Sequence, residues 1–415
     1  LIIGRIVKSA QDGIFSSGGL PGIGGPSTIS PSFSAEDFAR QYQAYYMGQH
    51  FDTYATYNSQ IGGQGMLFSI LNRIISVPPQ EKIPLFHCLN SLLLAIVLTA
   101  VILWFYLEFG GGVAIFVLAS AVLSQWLVVF GRNLWWSMWA FYLPLAVVMY
   151  HLRFGWESIK ARYSILGIEV FAVIFIKCLF NGYEYITSTL IMMAVPFVYY
   201  SILNKSTFRE FLAGAFTMVL GSGLAISLSV VILCFQISSV EGSFVEGINH
   251  IVFSLAKRTY GNPQSFPPIV RASLEANTFQ VIMTYLRGIF FDANNYLSSP
   301  NMFVSEFVFK VRYSYLIWLF GITSGVILIN RYATDREKRK RLALVLATWF
   351  SFLPPLSWFV VFRAHSYIHT HMNYIVWQMP FVFFGFAICG LATKRLLPKS
   401  SKSADLQRVN FRRQG

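Results

Sequence analysis

Long apolar runs broken by short polar stretches set the pattern of this chain. Runs near 83–107, 111–130, 133–151, 163–180, 185–203, 211–237, 313–330, 342–362 and 374–393 come close to the ~20 residues an α-helix needs to cross a bilayer core. The chain opens LIIGRIVKSAQDG. Leu1–Ile3 reads as the end of a first transmembrane helix whose earlier part lies outside the sequence. The pattern predicts an all-α fold, a polytopic bundle of nine complete spans plus the end of that first one. Five regions follow: the helix end with a first long connection (1–82), a block of spans (83–237), a second long connection (238–312), further spans (313–393) and a tail (394–415).

The connections are not featureless. SAEDFARQYQAYYMGQHF begins with a Ser34–Asp37 capping signature. It continues with Phe38, Tyr42, Tyr45 and Tyr46 at helical spacing, which predicts an interfacial helix. The GGQG of YNSQIGGQGMLFSIL turns into a second amphipathic helix but lacks the Lys-Ser/Thr of a phosphate-binding P-loop. In the second connection, SLAKRTYGNPQSFPP breaks at Gly261–Pro263, and LEANTFQVIMTYLRGIFFDANNY predicts a helix ending near Gly288 or Asp292, either a lid or gate over a substrate, or scaffold.

Composition agrees with a membrane setting. The chain is 55% hydrophobic and only 12% charged, with mean hydropathy +0.54, whereas soluble domains carry roughly 25% charged residues. Its net charge of +14 gathers in loops and tail, where it encodes topology rather than nucleic-acid binding. The tail holds Lys394, Arg395, Lys399, Lys402, Arg408, Arg412 and Arg413 against Asp405 alone, which predicts a cytoplasmic C-terminus. Alternating back places the basic connections 331–341, 204–210 and 152–162 on the same side. Both long connections and the 363–373 segment then face the extracytoplasmic side. The four cysteines, Cys88, Cys178, Cys234 and Cys389, lie inside apolar runs and read as buried small hydrophobes.

Chemistry concentrates on that predicted outer face. RAHSYIHTHMN holds three of the seven histidines. His365 and His369, four apart, share a helical face and are the only candidates for a metal, a divalent ion at most. The stretch has no Asp or Glu to complete such a site. Contact with a phosphate or sugar is the preferred reading, from His365, His369, His371, Asn373 and Arg363; a solvated turn is the plain one. GRNLWWSMW sets Arg132 and Asn133 above Trp135, Trp136 and Trp139, either an aromatic belt or a phosphate contact beside an apolar wall. In CLFNGYEYIT, Asn181 and Glu184 mark a helix end. Lys177 lies about one turn deeper, an ionisable residue inside a span and hence a functional candidate, or a partner for Glu184.

On these features the chain resembles the GT-C glycosyltransferases, integral membrane enzymes that take sugars from polyprenyl-phosphate carriers. Protein O-mannosyltransferases and aminoarabinose transferases belong to that superfamily. The likeness rests on a long first outer loop, an acid soon after the first helix (AQDG, Asp12), interfacial helices and a second long outer loop. It implies an inverting glycosyltransferase of the cell envelope, with a polyprenyl-phosphate-linked sugar and the lipid bilayer as partners. The acceptor would be a glycan, lipid or protein, and nucleic acid has no part. It further implies Asp12 as the catalytic acid, with Asp52 and Asp37 as alternates because the family's acidic pair is missing beside Gln11 and Gly13. Arg5, Lys8, Arg132, Arg258, Arg271 and Arg363, with Lys177, would hold the phosphate. Two alternatives stand beside this one: an O-antigen ligase or polymerase-like enzyme, and a transporter or structural membrane subunit.

Overall fold

The computed structural model describes residues 1–27, 33–155, 159–292, 310–329 and 334–396. The protein is an all-α helical membrane protein. Among the described residues, strands form only two short antiparallel ribbons. Helices α4 (Pro79–Phe109), α8 (Ile159–Asn181), α9 (Ile186–Leu203) and α10 (Phe208–Glu241) are each long and apolar enough to cross a bilayer, in α8 through Arg162–Asn181. So is the 27-residue stretch Asp335–Val361. These elements hold four of the predicted runs, 83–107, 163–180, 185–203 and 211–237, and most of a fifth, 342–362.

The other runs do not form single straight helices of bilayer length. The run 111–130 divides into α5 (Gly111–Val122) and α6 (Gln125–Gly131), bent by 65°. Ser124 starts the new direction by accepting the Leu127 N–H at 3.3 Å, a side-chain N-cap inside an apolar run. The run 133–151 begins with a turn, and α7 starts only at Met138, ending at Phe154. The helix α14 (Tyr313–Leu328) has 16 residues. The stretch 335–361 is α15 (Asp335–Phe350) followed by α16 (Leu353–Val361), with Pro354 and Pro355 in the first turn of α16, where a missing N–H costs nothing. The run 374–393 opens with a 3-10 turn over Asn373–Gln378, and regular helix α18 (Phe381–Leu396) begins only after Pro380. Pro380 has no N–H to give a helix through that point.

The first connection folds into a small unit at one end of the bundle. Helix α1 (Ile2–Asp12) packs on α2 (Ala35–Met47) and α3 (Gly63–Ile74), over a ribbon of β1 (Gly22–Gly25) and β2 (Thr53–Thr56). Both halves of the Ser34–Asp37 capping box form. Phe38, Tyr42 and Tyr46 stay exposed, while Tyr45 is buried and donates to Asn72 Oδ1 at 2.7 Å. In the second connection α11 (Phe244–Arg258) stops before Gly261. The predicted lid helix is two pieces, α12 (Pro268–Glu275) and α13 (Thr278–Leu286), because Asn277 caps the second by accepting from Phe279 N–H at 2.8 Å. The ribbon of β3 (Ile289–Asp292) and β4 (Lys310–Arg312) follows; residues 293–309 lie outside the described residues. So do Arg331 and residues 397–415, which carry most of the predicted basic tail. Cys178, Cys234 and Cys389 are buried, but Cys88 is exposed on α4, against the reading of four buried cysteines.

At the opposite end of the bundle, Glu108 collects Arg153, Lys340 (3.4 Å), Tyr199 (3.0 Å) and Tyr200 (2.8 Å). Arg339 reaches the Leu203 carbonyl nearby. Three basic connections therefore converge at one end, and the histidine segment sits at the other.

Candidate functional site

A cavity of about 660 Å³ opens where the 131–137 turn, the α8–α9 turn and the 363–373 segment meet the first connection. Its polar lining includes Arg132, Glu184, His365, His369, His371 and Tyr57, and Trp135 and Trp136 form an apolar wall. Phe38 and Tyr42 of α2 also face it. These groups come from five separate segments, so only the tertiary fold assembles them.

The placement of Glu184 is the most tightly built part. Helix α8 ends at Asn181, which accepts from Ser137 N–H and donates to Ser137 O, both at 2.9 Å. Lys177, fully buried, donates to Gly182 O at 2.7 Å, which ties the turn back to its own helix. Gly182 has φ +53°, and a Cβ there would come within 2.5 Å of Gln60 Cβ, so the loop before α3 closes directly over the turn. Tyr185 holds φ +50° without being glycine, a costly conformation sustained by its surroundings. Its hydroxyl donates to Asn373 Oδ1 at 3.0 Å. Between these anchors Glu184 projects inward. Its Oε1 lies 3.8 Å from His365 Nε2, and its Oε2 is buried without a protein partner.

The histidines occupy the end of helix α17 (Arg363–Ile368) and the turn after it. The imidazoles of His365 and His369 lie 4.3 Å apart, and those of His369 and His371 5.6 Å apart. Burial lowers His365 from the usual 6.5 to about 3, with Arg258, His371 and Lys257 adding to the effect. Burial first, then His365, lowers His369 to about 4. Both rings are therefore neutral at pH 7 and act as hydrogen-bonding groups rather than cations. The Nδ1 atoms of His365 and His369 have no protein partner. Among the described residues, no group of three His, Cys, Asp or Glu side chains gathers closely enough to hold a metal ion.

The turn bearing Arg132 is fixed from below. Asn90 donates to Asn133 O at 2.6 Å, and Asn133 Oδ1 accepts from Trp135 N–H at 2.8 Å. A second, smaller cavity of about 260 Å³ adjoins the first and shares Tyr57, His365 and His369 with it. It adds Lys257 and Arg258 from the end of α11, with His250, Ser254 and Ser59. Arg258 donates to the Tyr57 hydroxyl at 3.1 Å.

Several residues singled out in the sequence sit elsewhere. Asp12 pairs with Lys8 at 2.5 Å across one helical turn and lines neither cavity. Arg5 is fully buried and committed to its own loop, donating to Ser9 Oγ, Ser16 O, Ser16 Oγ and Gly13 O. Asp37 serves the α2 cap and pairs with Arg40 at 2.8 Å; Asp52 accepts from Ser27 N–H at 3.1 Å. Arg363 donates to Leu274 O at 2.5 Å and lies over the Tyr260 ring. Arg271 is on α12, next to Val270 of the smaller cavity. Asn373 is buried behind the histidines, its Nδ2 unpartnered. The fold thus brings together Arg132, Arg258, His365, His369 and His371. To these it adds Glu184, Tyr57 and Lys257, which sequence reasoning had not chosen as site residues.

The arrangement has a definite chemical capacity. One carboxylate with a free oxygen can take a proton, neutral imidazoles can relay one, and cations stand where negative charge would develop. Comparison of the chain with family models, curated proteins and solved structures found no match.

Proposed function

We propose that this chain is an integral membrane transferase that moves a sugar from a polyprenyl-phosphate carrier to an acceptor, with its chemistry in the cavity around Glu184. The reading continues the resemblance to the GT-C glycosyltransferases but takes the carboxylate from the α8–α9 turn instead of Asp12. The observation that carries it is Glu184 itself: a rigidly presented carboxylate with an unpartnered oxygen, in a cavity with Arg132 and three histidines. In the step proposed, an acceptor hydroxyl or amine attacks the anomeric carbon and the bond from that carbon to the carrier phosphate oxygen breaks. Glu184 takes the acceptor's proton, and the departing phosphate keeps the bonding electrons beside Arg132. The tryptophan wall and the exposed aromatics of α2 suit a sugar face and a lipid chain at the interface. The finer topology belongs to the same proposal: nine spans, a cytoplasmic basic tail and an extracytoplasmic active face.

The test is transfer from labelled polyprenyl-phosphate sugars by the protein in lipid nanodiscs. Glu184→Gln is expected to cost about 100-fold or more, from the lower bound of the range for general-base catalysis upward, while Asp12→Asn retains most activity. Loss in Asp12→Asn with survival of Glu184→Gln would return the acid to the first loop. Absence of transfer by the wild type from the whole donor panel would overturn the reading.

A further inference from the structure

Resting on the transferase reading, we infer that the smaller cavity is a second oxyanion site, taking a phosphate group distinct from the one beside Arg132. The two cavities differ in charge. The larger sets one cation, Arg132, against one carboxylate, Glu184, whereas the smaller has Lys257 and Arg258 and no acidic residue in its lining. Among the described residues neither Lys257 nor Arg258 has an ion-pair partner. Cations often end helices simply to complement the helix dipole. Here, however, both also line a cavity, Arg258 half-buried and Lys257 exposed.

An independent observation points the same way. His365 forms part of the partition between the cavities and is only 5% exposed. Its Nε2 lies 3.8 Å from Glu184 Oε1, while Nδ1 is buried with no protein partner. A buried imidazole nitrogen left bare costs stability unless something binds it. A phosphate oxygen would accept from that nitrogen in its N–H tautomer. Arg258 already spends one N–H on Tyr57 and has four others to offer, and Lys257 supplies a mobile point charge. The volume, about 260 Å³, is below the ~300–1,000 Å³ of sites for drug-sized ligands and suits a small headgroup. The transferase would therefore act on a substrate pair carrying two phosphate groups: either a carrier diphosphate or an acceptor that is itself phosphorylated.

Binding is read directly, without transfer, so that failure here is separable from failure of the proposed reaction. Inorganic phosphate is titrated into the nanodisc protein by calorimetry. The double variant Lys257→Gln/Arg258→Gln should weaken binding about tenfold or more, the loss typical of charged hydrogen bonds. Arg132→Gln removes only the other oxyanion contact, so the binding that depends on Lys257 and Arg258 should persist, weakened less than about threefold. Lys257→Arg, which keeps the charge, should bind as wild type and serves as the folding control alongside thermal melts. Wild type that does not bind phosphate, or unchanged binding in the double variant, overturns the site; so does a loss that follows Arg132 alone. Two further arms assign the source. A preference for geranyl diphosphate over geranyl phosphate that vanishes in the double variant places the group on the carrier. Glycerol phosphate binding that depends on Lys257 and Arg258, with no such preference, places it on the acceptor.

Discussion

Replacing Asn181 with leucine tests whether the turn that presents Glu184 is held as tightly as its geometry implies. Asn181 is fully buried and makes two hydrogen bonds of 2.9 Å to the backbone of Ser137, 44 residues away. Leucine has nearly the same size, so packing is largely preserved and the polar loss dominates. The Ser137 N–H would be left with no partner, at about 1–3 kcal/mol for a buried unsatisfied donor. The Ser137 carbonyl still accepts from Ala140 N–H at 2.9 Å, so its loss is nearer the ~1 kcal/mol of an ordinary bond. Together the expected destabilisation is about 2–4 kcal/mol. Asn181→Asp should be at least as damaging: one carboxylate oxygen still accepts from Ser137 N–H, but the other replaces the donor that faces Ser137 O. Unfolding in mixed micelles at graded SDS fraction measures both, with Tyr183→Phe on the same turn as a milder control. A loss below about 1 kcal/mol in Asn181→Leu, no more than one ordinary hydrogen bond, would refute the reasoning. The Lys177–Gly182 and Tyr185–Asn373 ties would then suffice to hold the turn.

Two further outcomes follow from charge. His365 and His369 fall from 6.5 to about 3 and about 4, so the folded protein binds fewer protons than the unfolded chain between pH 6.5 and 4. Their stabilisation is complete above pH 6.5 and is lost as pH falls, by up to about 1.4 kcal/mol per pH unit for each ring. Unfolding midpoints at pH 7.5, 6 and 5 should decline in the wild type and flatten in His365→Gln/His369→Gln; parallel slopes would contradict the assignment. At the other end of the bundle, Glu108→Gln leaves Arg153 and Lys340 without their carboxylate. Both cations are partly exposed, so the cost should fall near the lower end of the ~3–5 kcal/mol for a broken buried pair. Phosphate binding at the histidine end should be unaffected, and a change there would show that the ends are coupled.

What could be read along the chain, and what could not, divides by the range of the interactions involved. The bilayer-length runs were legible because burial in lipid requires continuous apolar sequence, whatever the neighbours. The cap of α2 was legible because it is made within a few residues. The bend after Val122 was not, since a single serine inside an apolar run reads as one more tolerated polar residue until its hydroxyl is seen capping Leu127. The same distinction governs the site. Lys8 and Asp12 stand four apart on a helix, a spacing that by itself favours pairing. The family likeness nonetheless drew attention to Asp12 as a free acid. Glu184 carried no comparable local signal, lying in a short polar turn between two spans. Its significance comes from Asn181 gripping Ser137 and from Tyr185 reaching Asn373, 188 residues on. The histidines could be assigned to one end of the bundle from charge alone. The neutrality of His365 and His369 follows from burial, which no local pattern in RAHSYIHTHMN reveals. A segment that looks cationic in sequence is therefore a hydrogen-bonding partition in the fold. The positive charge lies on Arg132 in one cavity and on the Lys257–Arg258 pair in the other, which is the ground for proposing two oxyanions and not one.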